Sequence, residues 1–266
     1  MVKIAITACV IATLAAAPLL AADPVVIADV GFVGPEAARY DERRDEYIVS
    51  NLGSRGEGND GFISRVAPDG SVVSLKWIAG GAKGVTLIDP LGIYAKGDKL
   101  YVADVNAVRI FDRKSGAAKG SVEVSDAVRL NDLVVDDNGV IYVTDSGNAE
   151  SAGAIYKITP GGDVSPFMER GPSLERPNGI TINADGNVVY GGRGVNIVFR
   201  TPEGELVREQ TLPTGQFDGF VLMPDGDLLI ASQLGHNVYR VAPDGGEVSV
   251  VADGFEVPAA IGLDAK

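Results

Sequence analysis

The sequence predicts an all-β chain folded as a six-bladed β-propeller, and three observations carry that reading. A tight-turn series recurs along the chain: Ala67-Pro68-Asp69-Gly70, Thr159-Pro160-Gly161-Gly162, Thr201-Pro202-Glu203-Gly204 and Ala242-Pro243-Asp244-Gly245. Each copy follows a short alternating strand, at residues 62–66, 154–158, 196–200 and 237–241, with a weaker copy at 108–112. A second turn series is interleaved with the first, at residues 41–46 and 95–98 and at Asp137-Asn138-Gly139, Ala184-Asp185-Gly186 and Pro224-Asp225-Gly226. Each of these leads into a run such as Leu100-Tyr101-Val102-Ala103 or Leu228-Leu229-Ile230-Ala231. Asp-Gly and Gly-Gly supply the positive φ angles that hairpin turns require. Together the series describe a four-stranded meander, A to D, at a period of roughly 40 to 50 residues, which is blade spacing. Sandwiches and barrels do not repeat a four-strand module in phase.

Taken in order, the blades start near Glu36, Gly92, Asn131, Asn178 and Asp218, and a sixth start falls at residues 257–263. That last blade has a strand A but no B or C before Lys266. Residues 25–32 are expected to form its outermost strand, so the sixth blade reads as truncated at its C-terminal side. A five-bladed ring with a frayed tail is the alternative.

Composition narrows the function. The chain has 266 residues, 45% of them hydrophobic, which excludes intrinsic disorder and allows a sizeable core. A net charge of −13 argues against nucleic acid, because phosphate binding needs a basic face. Residues 1–22 carry Lys3, a long apolar run and a small-residue end at Ala21-Ala22, the pattern of a cleaved export signal. Residues 23–266 are then one propeller domain, periplasmic or secreted, with no membrane attachment after cleavage and expected to be monomeric. Cleavage removes Cys9, the single cysteine, and with it any disulfide, thiolate metal site or cysteine nucleophile.

In a propeller the innermost strands line a central channel, so polar residues at equivalent blade starts converge however far apart they lie in sequence. Here these are Glu36, Asn131, Asn178 and Asp218. Taken singly, each fits a turn cap or a solvated loop. At the same phase of four blades, two carboxylates and two amides fit a shared hard-cation site. Such a donor set suits calcium, with magnesium and manganese fitting less well, and does not suit copper or a cysteine-zinc centre.

These motifs carry a family resemblance. Pro35-Glu36, Arg129-Leu130-Asn131-Asp132 with Asp136-Asp137-Asn138-Gly139, Arg176-Pro177-Asn178-Gly179, and Asp218-Gly219 with Pro224-Asp225-Gly226 resemble the SMP-30/gluconolactonase family, which includes regucalcin and bacterial lactonases. The resemblance covers the chain from about residue 25 onward and rests on the order and spacing of the motifs together. It implies a six-bladed propeller with one divalent cation at the axis, commonly Ca²⁺, with Mg²⁺, Mn²⁺ or Zn²⁺ as alternatives. It assigns Glu36, Asn178 and Asp218 as metal ligands, Asn131 beside the metal and the substrate, and Arg129 as a substrate contact. Two departures bear on substrate identity: the usual Glu-Gly-Pro-x-Trp start is Glu36-Ala37-Ala38-Arg39-Tyr40, and Pro258-Ala259-Ala260 lacks an acidic residue.

The remaining candidates are weaker. His236 is the only histidine and reads as a surface residue of a B–C loop, which excludes a multi-histidine zinc site. No Gly-x-Ser-x-Gly elbow and no phosphate-binding glycine loop occurs. Loops 51–61 and 145–152 are expected to rim the pocket. The leading function is a cation-dependent hydrolase of a small lactone or ester. Asp218 would be ligand and general base, and Asn131 and Arg129 would orient the substrate. The competing reading is a non-catalytic propeller that binds a ligand or partner protein around a structural cation.

Overall fold

The computed structural model describes residues 11–13, 26–56 and 58–264. Five four-stranded antiparallel sheets follow one another along the chain, each with its strands in sequence order. Blade one comprises Pro35–Asp41, Glu46–Asn51, Phe62–Val66 and Val72–Ala79, and blade two Pro90–Lys96, Lys99–Asp104, Ala107–Asp112 and Ala118–Glu123. Blade three comprises Leu130–Val135, Ile141–Asp145, Ala154–Ile158 and Val164–Met168, and blade four Pro177–Ile182, Val188–Gly192, Asn196–Arg200 and Leu206–Thr211. Blade five comprises Phe217–Leu222, Leu228–Ser232, Asn237–Val241 and Val248–Asp253.

Burial falls from the axis outward. In blade three, Leu130–Val135 and Ile141–Asp145 are buried throughout, whereas the outermost strand of blade two, Ala118–Glu123, is almost wholly exposed. The core lies between blades. Leu130, Leu133 and Val143 of blade three pack on Tyr101, Ala103 and Val108 of blade two. Val189, Ile197 and Phe199 of blade four likewise meet Phe217, Phe220 and Ile230 of blade five. These blades bury an apolar face against a neighbour, the cohesion expected of a radial repeat.

The expected sixth blade is corrected to a single inner strand. Gly262–Asp264 is a three-residue strand, and Ala260 bridges Ala37 of blade one in parallel. Ile261 packs on Met223, Leu229 and Val238 of blade five, while Ala260 joins the blade-one core with Ala37 and Ile48. A Cβ on Gly219 of blade five would lie 2.4 Å from the Ile261 backbone nitrogen, so this contact requires glycine. The segment therefore occupies the inner-strand place between blades five and one.

Residues 26–34 contain no strand, contrary to the expected outermost strand at 25–32. Left-handed backbone at Asp29, Gly31 and Gly34 breaks the extended run, and Ile27 packs on Tyr47, Val49 and Val66 of blade one instead. Residue 25 and most of the expected export segment lie outside the described residues. Within that segment Ile11–Thr13 pairs in parallel with Gly262–Asp264.

Candidate metal and substrate site

One local irregularity recurs in every innermost strand. Register shifts between Pro35 and Ala38, Pro90 and Ile93, Leu130 and Leu133, Pro177 and Ile180, and Phe217 and Phe220. Each shift is a β-bulge, which bends the strand and re-aims a side chain. The residues at its first position are Glu36, Leu91, Asn131, Asn178 and Asp218. Four of the five are the blade-start residues singled out in the sequence, so the bulge is the device that brings them together.

Hydroxyl groups fix two of these bulges to the next blade. Ser50 accepts from the Ala37 N–H at 3.0 Å and donates to the Leu91 carbonyl at 2.6 Å. Thr144 repeats this in blade three, accepting from the Asp132 N–H at 3.0 Å and donating to the Asn178 carbonyl at 2.6 Å. Asp145, fully buried, accepts from the backbone N–H groups of Val128 and Arg129 and so sets the approach of Arg129.

All five predicted site residues, Glu36, Arg129, Asn131, Asn178 and Asp218, line one cavity of about 230 Å³. Its other walls are Arg55, Ser146, Gly192, Arg193 and Gln233 from B–C loops or strand B ends, Arg176 and Gln216 from D–A connections, and Phe217. Both expected rim loops contribute, through Arg55 and Ser146. His236 is exposed and turned away, with Nδ1 against the carbonyls of Phe255 and Glu256.

Asp218 is 3% exposed, and its Oδ2 accepts from Asn178 Nδ2 at 3.1 Å and from Gln233 Nε2 at 2.8 Å. Gln216 donates to Gln233 Oε1 at 2.5 Å and extends the chain to the surface. Burial raises the Asp218 pKa well above the usual carboxylate range, and the nearby Glu36 and Asp132 carboxylates raise it further. Glu36 is raised too, by burial, with Arg129 and Arg55 opposing the shift. Asn131 donates to Ser146 Oγ at 2.9 Å, and that hydroxyl donates to the Pro177 carbonyl at 2.7 Å. Burial and the neighbouring Arg55 lower the Arg129 pKa.

The chemistry of this donor set fits a hard divalent cation. Asn178 Oδ1 is buried with no hydrogen-bond partner among the described residues. A buried acceptor left unpaired costs about 1–3 kcal/mol, and here it sits beside the two carboxylates that repel each other. A cation answers both penalties at once. No three His, Cys, Asp or Glu side chains cluster among the described residues, so carboxylates and amides together would have to hold it.

Backbone contact between blades four and five sets the same spacing. A Cβ on Gly179 would lie 1.7 Å from the Asp218 carbonyl oxygen. Gly179→Ala is expected to destabilise the chain by about 1–3 kcal/mol, as overpacking does. It should also weaken divalent-cation binding, because relief requires moving Asp218. Melting curves with and without calcium check both, and an unchanged calcium response would separate the contact from the site.

A second cavity, of about 880 Å³, opens on the opposite face among the A–B turns and is lined by Arg39, Tyr94, Val134, Ile180, Phe220 and Leu222 with others. Its charged wall residues Lys96 and Arg113 are already paired, with Asp137 and Asp41. Arg39 lies at its inner end, paired with Asp132 at 3.0 Å, next in sequence to Asn131 of the first cavity.

Sequence reasoning missed Arg55, Arg193, Gln216 and Gln233. Arg193 and Gln233 directly follow strand B, the place of Ser146 in blade three, and Gln216 directly precedes strand A, the place of Arg129 and Arg176, so the repeat phase does mark these three. Arg55 alone lies within a B–C loop that has no such phase. Arg176 stood inside a recognised motif. What marks it in the structure is left-handed backbone, φ 49° at Glu175 and 57° at Arg176, unusual for residues with a Cβ.

Comparison with known proteins bears on the fold and the family. The chain resembles the L-arabinolactonase of Azospirillum brasilense, 29% identical over 184 residues, covering 64% of this chain and 61% of that protein. It thus spans less than two thirds of that relative's length. Among solved structures, a streptogramin B lyase matches with a TM-score of 0.59 at 17% identity, over 85% of this chain and 70% of the other. A catalytically inactive virginiamycin B lyase from Staphylococcus aureus with quinupristin matches with a TM-score of 0.64 at 18% identity, over 88% and 75%. At those identities the likeness bears on the fold, an all-β propeller. The profile of the SMP-30/gluconolactonase/LRE-like region matches residues 63–264, most of the chain, and the chain belongs to that family.

Proposed function

We propose that the protein is an exported, divalent-cation-dependent hydrolase of the lactonase type, acting on a small lactone. The observation that carries this reading is the buried, unpartnered Asn178 Oδ1 beside Asp218 and Glu36 in a cavity that Asn131 and Arg129 also line. Family membership and the lactonase relative support it. Residues 1–22 would direct export, and calcium is the cation that oxygen donors of this kind favour.

Glu36, Asn178 and Asp218 would hold the cation, with Asn131 beside them. When bound, such an ion supplies Lewis-acid polarisation of a carbonyl and a lowered pKa for water. Asp218 Oδ2 is occupied by the Asn178 and Gln233 amides, which fixes the plane of the carboxylate. Its Oδ1 has no hydrogen bond to a described residue and is the atom free to take a proton from the attacking water. Arg129 donates to the substrate oxygens. The hydrogen bond to Ser146 holds the Asn131 amide so that its oxygen is presented to the ring.

Hydrolysis of aldono- and aliphatic lactones with and without EDTA tests the reading. Turnover is expected to vanish with EDTA and return with calcium. Calcium at about 100 times its Kd is expected to stabilise the fold by about 2.7 kcal/mol. Metal-dependent melting with no turnover of any lactone or ester would transfer the site to a binding role.

A further inference from the structure

The cavity has more positive charge than a neutral lactone can use. Four arginines line it, Arg55, Arg129, Arg176 and Arg193, against two carboxylates, Glu36 and Asp218. This occurs on a chain of net charge −13. Elsewhere most arginines are matched to carboxylates, as Arg65 is to Glu46, Arg109 to Asp104 and Arg170 to Asp145, whereas Arg200 and Arg208 donate to a tyrosine hydroxyl and backbone carbonyls. None of the cavity four makes an ion pair with a described residue. The sole hydrogen bond from their guanidinium groups runs from Arg176 Nε to the Ser146 carbonyl, at 3.2 Å.

The arrangement is built rather than incidental. The Arg193 N–H donates to the Glu175 carbonyl at 2.8 Å, tying a B–C loop to the D–A connection that carries Arg176. A Cβ on Gly192 would lie 2.2 Å from the Arg176 carbonyl oxygen, so the two segments meet only because that position is glycine. On the other side, Asp89 accepts from the Gly56 N–H at 2.9 Å and holds the loop that presents Arg55. A divalent cation would neutralise Glu36 and Asp218 and leave no further carboxylate in the cavity lining to balance the four guanidinium groups.

We propose that the substrate is a sugar-sized lactone bearing its own fixed oxyanion, a carboxylate or a phosphate, which these arginines receive. The proposal rests on the lactonase reading and names its substrate class. Guanidinium matches either oxyanion through paired N–H donors, which a neutral hydroxyl cannot satisfy. Arg129 stays with the reacting ring, while the more exposed Arg55 and Arg193 take the distal anion.

Titration calorimetry on the whole chain tests this, with glucarate, 6-phosphogluconate, gluconate and sorbitol as probes. Each is measured on cation-loaded and on EDTA-treated protein, which separates binding to the arginines from binding to the cation. The two acids that carry a second anionic group are expected to bind about tenfold or more tighter than gluconate, the scale of one added charged hydrogen-bonded contact. The tighter of the two identifies the anion. Replacing Arg55 and Arg193 together with Gln should collapse that ratio towards one, and Arg193→Lys should restore part of it. Equal affinity for gluconate and for the acids with a second anionic group, or a ratio unchanged in the double variant, overturns the proposal. The lactones of the same acids distinguish the two layers. Turnover of neutral gluconolactone with no preference for the anionic lactones leaves the lactonase standing and removes the anion site. Preference for the acids with a second anionic group, with no lactone hydrolysed, does the reverse.

Discussion

Replacing Asp218 with asparagine is expected to lower lactone turnover about 10²- to 10⁴-fold, the range that a positioned general base contributes. The substitution keeps the shape, and the asparagine oxygen can still accept from Asn178 and Gln233, so the cavity wall survives. What disappears is the charge. Burial and Glu36 already disfavour that charge in the metal-free protein, which is why the Asp218 pKa lies well above the usual range. Removing it should therefore leave the melting temperature in EDTA equal to or higher than wild type. The calcium-induced rise in melting temperature should shrink or vanish. Activity and metal-free stability then move in opposite directions, as functional charges buried at a loss do. Melting in EDTA, melting in calcium and turnover on one lactone check the three parts. A variant that keeps wild-type turnover, or loses stability in EDTA, would remove Asp218 from both roles.

The repeat was readable because a propeller writes each blade with the same turn chemistry. Asp-Gly and Asn-Gly turns mark positions where left-handed backbone is required, as at Gly70, Gly139, Gly186 and Gly226. Glu36, Asn131, Asn178 and Asp218 could be aligned by phase, and the shared phase places them at the axis, where they line one cavity. The β-bulge that aims them left no comparable mark, because blades one and three carry Ala37 and Asp132 where blades two, four and five carry glycine. The cationic wall was hidden for a different reason. Arg55 reaches the cavity from within a B–C loop that has no fixed phase, whereas Arg193 holds the place directly after strand B that Ser146 and Gln233 hold in their blades, a phase that turn chemistry and apolar alternation do not mark. Residues 25–32 misled because Val25, Val26 and Ile27 are strand formers. The left-handed backbone at Asp29 and Gly31 overrides that local preference and turns Ile27 onto blade one.

The same logic of distant groups meeting at the axis gives Arg39 a large part in stability. Its side chain is 14% exposed, and Asp132 faces it with a side chain 2% exposed. Besides the Asp132 carboxylate, its guanidinium donates to the carbonyls of Ile93 and Ile261. One side chain from blade one thus joins blade two, blade three and the inner strand between blades five and one. Arg39→Met is expected to lower stability by about 3–5 kcal/mol, because the buried Asp132 carboxylate loses its counter-charge and must bear that loss as a charge or by protonation. Burial already raises the Asp132 pKa with Arg39 in place, so the orphaned carboxyl should take up a proton. Pairing the change with Asp132→Leu removes the orphan. If the loss is mainly the uncompensated charge, the double variant should recover most of it, since apolar replacement of a buried pair is often neutral. If Arg39 matters chiefly by joining the inner strands, the double variant should stay as unstable as Arg39→Met, because the Ile93 and Ile261 carbonyls are then still without their donor. Denaturant melts of the two single variants and the double variant form the cycle that decides between them. A loss below about 1 kcal/mol in Arg39→Met would show that the axis is held by blade packing alone.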